Sequence, residues 1–401
     1  MNRILTTHVG SLIRPNSLAP ALRAIERGEN YDVATYQRDL REAVQDVVHQ
    51  QAEVGVDIVD DGEMGKISWI TYLYNRVGGI EPRVVKLPEG GALNDLPANL
   101  DRSKFASDED LLAEIWRFTG YWTEYYDTDA EGTEWVCTGP VAYDPTELAT
   151  DLENLRAGLA GVDVVGAFYP VVAPGSIFWI RNEHYTSDEE FLFAVADALH
   201  EEYKAVVDAG FYLQVDDAVL WHQWTTIALT GGSPEDYRRW ARLRVDALNH
   251  ALQGIPQERV RYHVCSASDH GPHVHDAGLV DVLDNVLAVN AGTYLIEQAN
   301  ARHEHEWRVW EEVKLPEGKL LAPGVVTHHT QMVEHPELVA ELLVPLAKLV
   351  GRERVIARTD CGFAQAASTR RVPVWTQWAK LQALADGARL ASRELWGRRA
   401  D

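Results

Sequence analysis

The chain has 401 residues, of which 46% are hydrophobic and 24% charged, as in soluble globular proteins. Its formal net charge of −24 argues against nucleic acid or an anionic membrane as a partner, because both are themselves negative. Three cysteines cannot form a disulfide framework, no apolar run reaches the roughly 18 residues of a membrane span, and the N-terminus has no leader-like pattern, so we expect a cytoplasmic protein.

Strand-like and helix-like segments alternate along most of the chain, beginning with a strand at Thr6–Ser11. Apolar residues at helical spacing predict a helix at Thr35–Glu53, which Gly55 ends, and a strand with its loop follows at Val56–Glu63. Residues 81–135 break the rhythm with Pro, Gly and acidic residues. They predict a long insertion after an early strand, which is a lid, an oligomer contact or a plain surface excursion. The sequence leaves open whether the protein forms a homo-oligomer.

The alternation resumes after this insertion and continues to the C-terminal part of the chain. The further predicted strands are Trp135–Val141, Val165–Val172, Phe211–Asp217, runs ending at Cys265 and at Glu297, Leu320–His328 and a run ending at Cys361. The predicted helices are Ser187–Ala209, Pro234–Leu252, Pro336–Val350 and a last one carrying Trp378 to Leu395. A capping box opens the first of these helices.

Strands that alternate with helices predict parallel strands with helical crossovers, and hence one α/β domain, a (β/α)8 barrel of the TIM type over residues 1–401. The pattern yields nine strand candidates, one more than the barrel holds. We expect the surplus to be Val165–Val172 or the run ending at His328.

Polar side chains gather where the predicted strands end. They are Ser11, Glu63, Asp216, Asp217, His263, Cys265, Glu297, His328 and Cys361. A TIM barrel carries its active site at the carboxyl ends of its strands, so we expect the chemistry at this face.

His263 and Cys265 lie two residues apart at the end of a strand, so their side chains share one face. An imidazole and a thiolate are ligands that zinc prefers, and Glu297 and Cys361 offer two more from other strand ends. A lone His-x-Cys pair also occurs in ordinary buried strands, since a reduced cysteine packs as a small hydrophobe. The working hypothesis is a single zinc site formed by these four residues.

The softness of this ligand set favours one kind of chemistry. Two thiolates and a carboxylate leave the site near neutral or negative, which suits activation of an incoming thiol better than generation of hydroxide. Glu63, Asp216 and Asp217 can bind an ammonium group or transfer a proton, although acids after strands are also common turn residues. Lys66, with Arg76 and Arg302, is a candidate cation at the mouth for an anionic substrate.

Several stretches together identify a resemblance that spans nearly the full length. They are Thr6-Thr7-His8-Val9-Gly10-Ser11-Leu12, Asp61-Gly62-Glu63-Met64-Gly65-Lys66, Thr138-Gly139-Pro140, Gln214-Val215-Asp216-Asp217, His263-Val264-Cys265, Glu297-Gln298-Ala299-Asn300, Arg302-His303-Glu304-His305-Glu306, Pro323-Gly324-Val325 and Thr359-Asp360-Cys361-Gly362-Phe363. The chain resembles the catalytic domain of cobalamin-independent methionine synthase and its single-domain relatives, which include epoxyalkane:coenzyme M transferase.

The resemblance implies a TIM-type barrel that binds Zn²⁺ and transfers an alkyl group to a small thiol from an electrophilic donor, either a methyl donor or an epoxide. The metal ligands would be His263, Cys265, Glu297 and Cys361, with Glu297 moving away as the thiol joins the metal. The homocysteine anchors would be Ser11, Glu63 and Asp216, and the proton donor His328 or His329. Arg358 departs from the family, because a small residue is usual there.

Two other functions stay open at this point. A barrel of the uroporphyrinogen decarboxylase type would need no zinc, so metal analysis separates it from the alkyltransferase. A thiol-binding or zinc-binding protein without turnover would hold the metal and consume no electrophile.

Overall fold

A computed structural model describes residues 2–86, 131–266, 273 and 276–397 of the chain. Eight parallel strands form a barrel in which each strand pairs with the next one along the chain. The strands are β1 (Leu5–Thr6), β2 (Ile58–Val59), β3 (Gly166–Val172), β4 (Tyr212–Asp217), β5 (Val260–Val264), β6 (Thr293–Ile296), β7 (Leu320–Val326) and β8 (Ile356–Thr359). β1 pairs with β8, and a bridge between Thr7 and Ile58 joins β1 to β2, which closes the barrel. The predicted (β/α)8 barrel is confirmed.

Helices connect successive strands and surround the barrel. Their bounds are Ala19–Glu26, Val33–Glu53, Tyr72–Arg76, Thr146–Gly158, Asp188–Asp208, Ala218–Leu229, Pro234–Ala251, Leu279–Leu287, Val309–Glu312, Pro336–Val350 and Val374–Trp396, with short 3₁₀ turns at Pro174–Trp179, Gln257–Arg259, Glu304–Arg308 and Arg352–Arg354. In the described parts of the chain, none of them combines the length and the apolar character that a membrane crossing requires.

Side-chain caps explain where two of the long helices begin. Ser233 and Asp236 form a complete capping box in front of Pro234–Ala251. At the box predicted from the sequence, the Ser187 hydroxyl accepts from the Glu190 N–H at 3.1 Å. The Glu190 carboxylate, however, accepts from the N–H of Thr186 at 3.0 Å instead of from Ser187, so only half of the predicted box is present.

The surplus strand is Trp135–Val141, and the expectation that it would be one of two later runs was wrong. Val165–Val172 supplies β3, and the run ending at His328 supplies β7. The segment Glu131–Tyr143 instead pairs antiparallel with Val77–Lys86, outside the barrel. An alternating apolar pattern predicts a strand but does not identify its partner. These two strands flank the predicted insertion, of which residues 87–130 lie outside the described part of the chain.

An apolar layer fills the inside of the barrel and sets the level of the site. It is formed by Ile58, Phe168, Leu295, Ala322 and Ile356, from five different strands. Side chains two residues apart along a strand share a face. The next inward positions towards the carboxyl ends are therefore Asp60, Pro170, Glu297, Gly324 and Arg358. At three of these five positions, Asp60, Glu297 and Arg358, the barrel interior thus changes from apolar to charged within one step along the strand.

Arg76 anchors a buried ion cluster on the outside of the barrel. Its guanidinium donates to Asp151 at 2.5 Å, to Glu202 at 2.8 Å and to Glu147 at 3.3 Å, and its own side chain is 3% exposed. The Tyr169 hydroxyl also donates to Asp151 at 2.7 Å. Arg76 is therefore committed to linking three helices and is not the mouth cation that the sequence suggested.

We expect the substitution Arg76→Met to lower the free energy of unfolding by about 3–5 kcal/mol, because it leaves buried carboxylates without their counter-ion. Urea unfolding followed by circular dichroism measures this effect. The matched control is Arg83→Met, which removes an exposed ion pair with Glu183 and should leave the urea midpoint unchanged. Equal effects of the two substitutions would contradict the expectation.

Candidate metal centre and active site

Three potential metal donors converge at the carboxyl ends of β5, β6 and β8. One ligand atom each from His263, Glu297 and Cys361 lies within 4.8 Å of the others, and all three residues are buried. Cys265 adjoins them, because its sulfur lies 3.3 Å from Oε1 of Glu297 and it packs with Cys361 against Val9. The structure therefore brings together the four residues that the sequence proposed as ligands.

His263 is held at one ring nitrogen by a neighbouring carboxylate. Its Nδ1 lies 3.0 Å from Oδ1 of Asp216, which also accepts from Nε2 of Gln214 at 2.9 Å. Its Nε2 makes no hydrogen bond of standard geometry with the described residues. Burial, and then the positive charge of Arg358, hold the pKa of His263 well below its usual range. A neutral imidazole fixed by a carboxylate is the form in which histidine binds metals.

Glu297 is fully buried and faces both thiols. Its Oε2 accepts from the N–H and hydroxyl of Ser266 at 2.8 and 2.5 Å. Burial raises the pKa of Glu297 to about 8, and the negative charges of Asp360 and Cys361 act in the same direction. A divalent cation would offset this cost of ionisation.

The donor set fits zinc. One imidazole nitrogen, two sulfurs and one carboxylate oxygen are a soft, four-membered set of the kind that zinc sites use. The hydrogen bond from His263 to Asp216 is the outer support that such ligands usually have.

The predicted substrate residues Ser11 and Glu63 lie at the ends of β1 and β2. The Ser11 carbonyl accepts from the N–H of Phe363 at 2.8 Å, and a Cβ on Gly362 would lie only 1.9 Å from the Ser11 hydroxyl. Glu63 has a positive φ of 55°, and its Oε2 is buried without a hydrogen bond to the described residues. Burial raises the pKa of Glu63, which a cationic ligand would lower again.

Lys66 and the two neighbouring aspartates have different surroundings. Nζ of Lys66 donates to the Pro170 carbonyl at 2.5 Å and lies over the rings of Tyr72 and Tyr169. Asp216 faces the barrel interior, and burial raises its pKa to about 7. The Asp217 side chain points to the opposite face of the strand. It accepts from the N–H groups of Val219 and Leu220 and from the Tyr262 hydroxyl. The structure thus gives Asp217 a helix-capping position away from Asp216.

The two candidate proton donors follow β7. His328 is fully buried, His329 is half-buried, and their ring centroids are 4.0 Å apart. The ring of His273 lies 6.2 Å from that of His329, and its Nδ1 is 2.8 Å from Oδ2 of Asp276. The rest of the segment between Ser266 and Asp276 lies outside the described residues.

Sequence reasoning gave no role to Asp360 and missed the function of Arg358. Asp360 is fully buried and accepts from the N–H groups of Gln298 and Ala299, both at 2.8 Å. Arg358 is fully buried and donates only to backbone carbonyls in the described part of the chain. An aspartate directly before a candidate ligand was the available signal, but its partners become visible only in the fold.

Comparison with known families agrees with this geometry. The profile described as the catalytic domain of cobalamin-independent synthase matches residues 175–379, just over half of the chain. The chain belongs to the cobalamin-independent synthase family. The matched span includes all four candidate metal ligands as well as Asp216, His328 and His329.

Relatives of this family member align over almost the whole chain. A methionine synthase of Sulfurisphaera tokodaii is 23% identical over 398 residues, covering 97% of this chain and 93% of that protein. A methionine synthase of Thermococcus kodakarensis is 24% identical over 395 residues, covering 97% and 94%. A B12-independent methionine synthase from Shewanella sp., solved in complex with selenomethionine, has a TM-score of 0.72 at 18% identity and covers 99% of this chain and 100% of that chain. That likeness shows the fold.

Two residues of the charged stretch after Glu297, His303 and Glu306, are buried and form an ion cluster with Asp276. His303 is 2% exposed, with Nδ1 2.9 Å from Glu306 and Nε2 3.5 Å from Asp276. Burial alone would lower the pKa of His303, but its bonds to Asp276 and Glu306 outweigh burial and raise the pKa to about 9.

We expect His303 to stabilise the fold in a pH-dependent way. Its folded pKa lies above its unfolded value, so its contribution is complete below about pH 6.5 and is lost as the pH rises through about 9. The difference in unfolding free energy between the wild type and His303→Gln should reach about 3 kcal/mol near pH 6 and shrink towards pH 10. Urea titrations at both pH values measure it, and a difference independent of pH would contradict the expectation.

Proposed function

We propose that this protein is a zinc-dependent methyltransferase that transfers a methyl group to the sulfur of a small amino-acid thiol of the homocysteine type. The observation that carries the proposal is the buried group of His263, Cys265, Glu297 and Cys361 beside several buried acids. The membership of the chain in the cobalamin-independent synthase family and the names of its relatives support the same reaction.

The four donor residues would hold the zinc ion. When bound, zinc supplies the Lewis acidity that keeps a thiol deprotonated at neutral pH, where a thiol of pKa near 8.5 is mostly protonated. Glu297 is the one oxygen donor of the four, and the N–H and hydroxyl of Ser266 would hold its carboxyl group whether or not it contacts the ion.

Acidic side chains favour an amino-acid thiol over a sulfonate thiol. Asp60, Asp61, Glu63 and Asp216 are all buried at the end of the barrel where the metal donors lie. Burial raises the pKa of Asp61 to about 6 and that of Asp216 to about 7, so the positive charge of an incoming ammonium group would favour their ionised forms. A sulfonate would meet the same acids as a like charge.

The cations near this pocket already have partners. Lys66 donates to a backbone carbonyl between two tyrosine rings, and Arg14 donates to the carbonyls of Leu12, Ala364 and Lys66. Arg14 also lies 3.8 Å from Oε2 of Glu63, and both cations oppose the rise in the pKa of Glu63 that burial causes.

Methyl transfer forms a bond from the thiol sulfur to the methyl carbon and breaks the bond from that carbon to the donor. The electron pair of the broken bond stays on the leaving atom, which then takes up a proton. His328 or His329 would supply this proton, since both follow β7 at the barrel mouth.

We expect the purified protein to contain one zinc ion per chain, and the substitutions Cys265→Ser and Cys361→Ser to lower the zinc content and abolish thiol alkylation. Elemental analysis and an assay of homocysteine consumption measure both effects. The control is Cys137→Ser, which should change neither zinc content nor thiol alkylation. Cys137 is buried in the strand Glu131–Tyr143, outside the barrel. A metal-free protein that stays active with Cys265 and Cys361 both replaced would refute the proposal.

We expect homocysteine, and not coenzyme M, to change the zinc-edge X-ray absorption spectrum. The substitution Glu63→Gln should raise the KM for homocysteine about 10- to 100-fold, because it removes a charged partner of the ammonium group. The same substitution should not change the KM for 4-mercaptobutyrate, which lacks the ammonium group. A response to coenzyme M alone would indicate the epoxide reaction, and full zinc occupancy without consumption of any electrophile would indicate a binding protein.

A further inference from the structure

One side chain connects two of the candidate ligand segments across the barrel. Oδ1 of Asp360 accepts from the backbone N–H groups of Gln298 and Ala299, both at 2.8 Å. Asp360 directly precedes Cys361 after β8, and the two amides directly follow Glu297 after β6. A change in the position of Asp360 would therefore move both donor segments relative to each other.

β6 and β8 are not neighbours, because β7 lies between them. The Asp360 side chain crosses β7 at Gly324, where an added Cβ would lie 1.9 Å from Oδ1 and 2.9 Å from the Cα of Asp360. Only a residue without a side chain leaves room for this crossing. Gly324 is thus a steric condition for the two hydrogen bonds.

Arg358 fixes the backbone on which Asp360 stands. Its guanidinium donates to the carbonyls of Thr359 at 2.6 Å and Asp360 at 2.5 Å, and its Nε donates to the carbonyl of Ala322 on β7 at 2.7 Å. The side chain is fully buried, so water does not compete for these bonds. Arg358 therefore links the turn that carries Cys361 to β7, the strand that the Asp360 side chain crosses.

We propose that Asp360 is a positioning residue that sets the separation of Glu297 and Cys361 for the metal, with Arg358 and Gly324 as its supports. This inference rests on the proposed zinc site. A zinc ion requires donors at about 2.0–2.3 Å in a tetrahedral arrangement, so freedom between two donor segments costs affinity. The two Asp360 hydrogen bonds remove that freedom.

The test compares Asp360→Ala with Asp360→Asn, because an asparagine oxygen can accept the same two hydrogen bonds without the charge. Zinc affinity is measured by competition with a chelator, and the coordination geometry by the visible absorption of the cobalt(II)-loaded protein. We expect Asp360→Ala to weaken zinc binding about 10- to 100-fold and to shift the cobalt bands. Asp360→Asn should restore most of the affinity and the wild-type spectrum.

Gly324→Ala provides an independent variant that leaves the carboxylate in the chain. Its added methyl group displaces Asp360, so it should reproduce the loss of zinc affinity and the altered cobalt spectrum. This variant carries the test if Asp360→Ala does not fold. The matched control is Asp57→Ala, which removes an aspartate that accepts from the N–H of Thr6 at the opposite end of the barrel and should change stability alone.

The outcomes separate this inference from the proposed function. Wild-type affinity and an unchanged cobalt spectrum in Asp360→Ala and in Gly324→Ala would overturn the positioning role while leaving the zinc site in place. The same holds if both variants lose only stability, as expected for Asp57→Ala. A wild-type protein that does not bind zinc would overturn the proposed function and this inference together.

Discussion

The alternation of side chains along eight parallel strands determines where every candidate functional group lies. An apolar layer that includes Leu295 and Ile356 fills the barrel, and two residues further along the same strands stand Glu297 and Arg358. Closure through Thr7 and Ile58 brings these strand ends together around one mouth. The site therefore depends on barrel register, because a shift of one residue would turn its donors into the helical layer.

Burial of acids is the main electrostatic feature of this mouth. Burial raises the pKa of Glu297 to about 8 and that of Asp216 to about 7, so the site without cations holds weakly ionised carboxyl groups. Two cations, a metal ion and a substrate ammonium group, would complement two neighbouring groups of acids. The proposed function and the buried geometry are consistent at this point, since a cationic partner would favour the ionised forms that burial disfavours.

The departures from the sequence-based expectations have physical causes. Trp135–Val141 has the composition of a barrel strand but pairs with Val77–Lys86, because strand patterns do not specify partners. Arg76 looked like a cation for substrate and instead neutralises Asp151 and Glu202. In both cases the partner is far away in sequence, and local patterns contain no information about it.

The sequence by itself determined the barrel class, nine strand candidates that include all eight barrel strands, and the concentration of His263, Cys265, Glu297 and Cys361 at strand ends, because these follow from periodicity and residue chemistry. Only the tertiary structure decided that Asp216 holds Nδ1 of His263, and that Asp217 caps a helix instead. It also decided that Asp360 crosses β7 to bind the backbone after Glu297. Such contacts depend on distances between strands that are remote in the chain, and these distances are set only when the barrel closes.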